Sequence, residues 1–121
     1  MADEITLRVI ANLTNGSFKD EFKPAQISVD QAALGADSGI RSIGTSEENV
    51  TFTDITTEGY LFIQNLDATN YVTIGPDSTG MVALIKLKPG EFAMMRLDPA
   101  AVIVMQANTS DCDVQVKVWE D

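Results

Sequence analysis

From Tyr60 to Val118 the chain alternates short apolar runs with turn signals, and this rhythm limits the folds open to it more than any other feature. Runs rich in Val, Ile, Phe, Tyr and Leu are broken at Gly75-Pro76-Asp77, Lys88-Pro89-Gly90, Asp98-Pro99 and Asn108-Thr109-Ser110-Asp111. Branched and aromatic side chains suit a pleated, half-buried surface. Pro and Gly at these intervals stop a ladder and turn the chain. About five strands are expected in this stretch alone.

The remainder reads the same way. Glu4 to Leu13 puts Ile5, Leu7, Val9, Ala11 and Leu13 on one side of a single extended strand, with Ile10 interrupting the polar side. Asn15-Gly16 turns the chain. Pro24, which has no amide hydrogen, restricts Phe18 to Val29 to an edge, a bulge or two short strands. Asp30 to Glu48 is rich in Ala, Gly, Ser and Asp. It is expected to be a long loop with one helical turn after Asp30 and a short strand at Ile40 to Ile43. Tyr60 to Asn65 carries apolar side chains on both faces, as a central strand would. With about eight to ten strands at roughly ten-residue spacing and no convincing helix, the expected fold is all-β. It is an antiparallel β-sandwich, jelly-roll-like, forming one domain over residues 1–121.

Residue supply removes several kinds of chemistry. The chain has no histidine and one cysteine, so a histidine triad, a structural zinc site and an intrachain disulfide are unavailable. Cys112 shares parity with Val114, Val116 and Val118 and is expected to pack as a small apolar residue. Eighteen acidic residues against eight basic give a net charge of −10. The cations are scattered, so no nucleic-acid surface is expected. The Asp111/Asp113 pair and the Asp67 and Asp77 carboxylates lie at turns and read as solvated groups, without the spacing of a calcium loop. The glycines form no phosphate cradle. No run is long enough for a membrane span, and a Met-Ala-Asp-Glu start opposes a basic signal sequence, so folding in a cytoplasm is expected. No catalytic residue, cofactor or metal ligand is assigned.

What remains is surface for protein partners. Met94 and Met95 must point to opposite faces of their strand, so Met94 is a candidate contact residue or a core gap-filler. Trp119 has parity opposite to the late valines and either caps an edge, anchors a partner or folds back. Ile5, Leu7 and Ile10 in the first strand complete the candidate interface set.

The stretch Asn70 to Gly80, continuing through Ile85 to Glu91 and Arg96-Leu97, resembles small β-rich virion proteins of tailed bacteriophages, in particular head decoration or cement proteins. The resemblance covers about the last sixty residues and rests on strand and turn signals. It implies a jelly-roll-like subunit, made in the bacterial host cytoplasm and located on the virion. Such a subunit forms a homotrimer and ties copies of the major capsid protein together on the outer head surface. A tail, fibre or adaptor component is the alternative within that biology, and a carbohydrate-binding module using Tyr and Trp the alternative outside it.

Overall fold

The computed structural model describes residues 3–121. The described residues form twelve strands, and the chain divides into two compact units, Met1–Ala32 and Ala33–Asp121.

The first unit is one long hairpin interrupted midway. Strand β1 (Ile5–Leu7) pairs antiparallel with β4 (Ile27–Val29), and β2 (Ala11–Asn15) pairs antiparallel with β3 (Phe18–Phe22). The single strand expected from Glu4 to Leu13 is therefore two. Its break lies opposite Pro24, which cannot donate to a ladder, so β3 and β4 are also separate and short. The corner residues are Gly16 and Ser17, with Asn15 still paired to Phe18. Only Gly16 takes a positive φ, +60°, so the reversal depends on glycine and not on both members of the Asn-Gly pair. Asp30 Oδ1 accepts the Asp3 amide at 2.8 Å instead of starting a helical turn.

The second unit is the sandwich. Its strands are β5 (Ala36–Ile43), β6 (Glu48–Val50), β7 (Glu58–Asn65), β8 (Val72–Pro76), β9 (Ile85–Leu87), β10 (Phe92–Arg96), β11 (Ile103–Ala107) and β12 (Cys112–Glu120). They pair first with last, second with seventh, third with sixth and fourth with fifth, all antiparallel. Further pairings of β7 with β12 and β8 with β11 close two four-stranded sheets, ordered β10-β7-β12-β5 and β6-β11-β8-β9. This folded ribbon of paired strands is the jelly roll. The strands number more than eight to ten because the first unit contributes four of its own.

Strict alternation places Leu61, Ile63, Val114, Val116 and Val118 inside from the first sheet, facing Val72, Ile74, Ile103 and Met105 from the second. Cys112 is fully buried in the same cluster. Asn65 is the buried polar member. Its amide donates to the Asn70 and Leu87 carbonyls at 2.9 and 3.0 Å and its oxygen accepts the Asp67 amide at 2.9 Å, so its burial leaves no group unpaired.

Two stretches differ from expectation. Ala36–Ile43, expected to be mostly loop, is an eight-residue strand, because its whole length pairs with β12 from Ile43↔Cys112 to Ala36↔Trp119. Tertiary pairing here overrides weak local propensity. Conversely, the run expected as a strand between the Gly75-Pro76-Asp77 and Lys88-Pro89-Gly90 breaks is strand only at Ile85–Leu87, since the chain ahead of it is pressed onto β8. A side chain on Gly75 would lie 1.8 Å from the Val82 carbonyl oxygen, and only glycine permits that approach.

Candidate functional site

The two sheets treat their outward faces differently. On the sheet β6-β11-β8-β9, the segment around Val82 crosses Gly75. Val104, which pairs with Gly75, is only 2% exposed. The Glu47 carboxylate accepts the Met81 amide at 3.2 Å and helps to hold that crossing segment. The protein's own chain thus closes this outward face locally, at Gly75.

The outward face of β10-β7-β12-β5 carries several exposed apolar side chains. Register sets Met94 beside Phe62, and Phe62 beside Lys117. In the next row Phe92 lies beside Gln64, Gln64 beside Gln115, and Gln115 beside Ile40. Phe92 and Ile40 are 75% and 66% exposed, and Met94 is 37% exposed. Trp119 meets Phe62 edge to face, with ring centroids 4.6 Å apart and planes at 61°. Met94 and Trp119, singled out separately by parity, therefore fall on one patch joined by Phe62. Trp119 lies on an interior strand and caps no sheet edge. Met95, the neighbour of Met94, turns inward against the core.

A bulge sets the end of this patch. Between Leu61↔Val118 and Glu58↔Glu120 the register shifts, so Gly59 and Tyr60 together oppose Trp119. A side chain on Gly59 would come within 2.8 Å of the Trp119 carbonyl oxygen. Tyr60 carries the Arg96 guanidinium 5.2 Å above its ring, and Arg96 pairs with Asp121 at 2.6 Å. Burial beneath this end includes Glu120, whose Oε2 accepts the Thr56 amide at 2.5 Å.

In the first unit, Ile5 is buried, Leu7 half-buried and Ile10 exposed in the break between β1 and β2. A further group of exposed apolar residues lies on the β2–β3 ribbon. Ala11, Leu13, Phe18 and Phe22 share one side of it, with Asn12, Thr14, Lys19 and Glu21 on the other. Leu13, Phe18 and Phe22 are 47%, 60% and 64% exposed. Pairing across the Gly16-Ser17 corner is the signal that could have found them, because it brings Phe18 and Leu13 to the same side.

The acidic side chains at turns are occupied by the backbone. Asp67 Oδ2 accepts the Asn70 and Thr69 amides at 2.6 and 2.9 Å, and these bonds hold its carboxyl below the ordinary value of 3.8. Asp77 likewise accepts the Gly80 amide at 3.0 Å and Asp98 the Ala100 amide at 2.9 Å. Among the described residues no three Asp, Glu or Cys side chains gather where they could hold a metal ion. Burial pushes the Cys112 thiol up, reinforced by the negative Asp67, Asp111 and Asp113 nearby. No protein-family model matches the chain, and no curated protein matches it.

Proposed function

We propose that this chain is a structural virion protein rather than an enzyme. In this reading it is a capsid decoration or cement subunit that binds the outer head surface of a tailed bacteriophage as a homotrimer and ties neighbouring major capsid proteins together. The observation that carries the reading is the open face of the β10-β7-β12-β5 sheet, where Phe92, Met94, Phe62 and Trp119 form an apolar and aromatic patch on a rigid scaffold. Aromatic and methionine side chains are enriched where protein partners meet. The edge-to-face packing of Trp119 on Phe62 favours a protein contact over a sugar, since the two rings form no coplanar platform on which a pyranose could stack.

Purified protein mixed with expanded heads tests the reading. It should co-sediment with them, label heads and not tails in electron micrographs, and raise their resistance to heat. In solution it should have a mass near three times 13.1 kDa. Labelling of tails would replace the decoration role with a tail or adaptor role. Absence of binding to any virion part would remove both.

A further inference from the structure

We propose that the β2–β3 ribbon of one subunit lies, apolar side down, on the outward face of the β10-β7-β12-β5 sheet of a second copy of this chain, with Asp20 meeting Lys117. Three observations carry this. The ribbon has one apolar side, exposed in the single chain, and an isolated two-stranded hairpin is marginal in water, so it needs a surface to lie on. The sheet offers a face of the same length that carries Phe92, Met94, Phe62 and Trp119 among the polar Gln64, Gln115 and Lys117: β2 and β3 share five paired residues, and so do β10 and β7.

Charge then selects the pairing. Asp20 faces Leu13 and is the one charged group on the ribbon's apolar side. Lys117 lies beside Phe62 in the middle of the sheet patch. Neither makes a salt bridge among the described residues, where the ion pair formed is Arg96 with Asp121. Docked face to face, the two charges neutralise each other beside Leu13 of the ribbon and Phe62 of the sheet. For a chain of net charge −10, that local match sets where two copies can approach.

The contact is heterologous: each subunit gives a ribbon and receives one. It closes into a ring if the rotation permits, and three subunits would satisfy the trimer proposed above. The inference shares self-association with that reading but makes no use of the virion, so purified protein without heads tests it separately.

Light scattering should give a multimeric mass for the protein in the micromolar range. Asp20→Lys and Lys117→Asp should each weaken association by about tenfold or more, and the double exchange should restore it to within about threefold. Asp20 is exposed and Lys117 half-buried, and thermal unfolding would verify that each variant folds. In a second experiment, chains carrying Asp20→Cys are mixed with chains carrying Lys117→Cys and treated with a bismaleimide that spans two β layers packed about 10 Å apart, and a covalently linked dimer should form. A monomeric wild type overturns the proposal. So does unchanged association in the single variants, a failure of the exchange to restore it, or a multimer without the interchain crosslink. If the doubly substituted chain, Asp20→Cys with Lys117→Cys, instead crosslinks within a monomer, the ribbon lies on its own sandwich and the proposal fails.

Discussion

At Gly75 a backbone carbonyl occupies the place where any other residue would carry its Cβ, so Gly75→Ala must move either Val82 or strand β8. The variant should lose on the order of 3 kcal/mol in urea unfolding, with the loss traceable to the sheet that the crossing segment covers. Cys112 is fully buried, and burial raises its thiol above the ordinary value. It should therefore resist alkylation at neutral pH in the folded protein and react stoichiometrically once urea unfolds it. Asp67 titrates in the opposite direction. Its folded value lies below its unfolded one, so its stabilising bonds to the Asn70 and Thr69 amides are present above pH 3.8 and are lost as pH falls through the lower folded value. The acid limb of the stability curve should flatten in Asp67→Ala relative to the parent. What looked like a solvated surface charge in the sequence is a turn fastener, because an Asx turn becomes visible only once the chain direction is known.

At the scale of elements, every member of the buried core cluster lies between Ile43 and Val118. A chain beginning at residue 33 should therefore keep a cooperative thermal transition and a β-type circular dichroism spectrum, and loss of both would mean that the first unit is required for folding. The strands readable beforehand were those with a one-sided pattern. Val114, Val116 and Val118 announce β12, and Leu61 with Ile63 announces β7 as a central strand. Of β5 only Ile40 to Ile43 was legible, because Ala36, Ser38 and Gly39 do not favour a strand by themselves, and the full strand exists through its eight pairings with β12. The opposite error occurred near the start. An alternating pattern from Ile5 to Leu13 looked continuous, but its partner strand contains Pro24, so the ladder could not be. Both misreadings have one cause, since a strand's length depends on its neighbour as much as on itself.

Across the molecule, the jelly roll supplies a platform whose one sheet is approached by its own chain at Gly75 and whose other sheet carries the Phe92, Met94, Phe62 and Trp119 patch. Phe92→Asp should leave the melting temperature nearly unchanged, an effect within about 0.5 kcal/mol because the side chain is already 75% exposed, while abolishing attachment to heads in a co-sedimentation assay. Met94 and Trp119 were recognisable from parity alone. That they share a patch was not, because Phe62, which joins them, had no reason in sequence to be nearer to either than Tyr60 or Tyr71. The pairing of first strand with last also bears on how the protein is made. β12 lies between β7 and β5 and fills the middle of its sheet. During synthesis, β5 and β7 leave the ribosome with an empty lane between them, and neither can complete its ladder until β12 has emerged more than fifty residues later. Until then the exposed lane is a docking site for any strand nearby, including the same lane of another nascent chain. A host that translates this message densely therefore needs chaperones on hand, and the yield of soluble protein should rise when elongation is slowed.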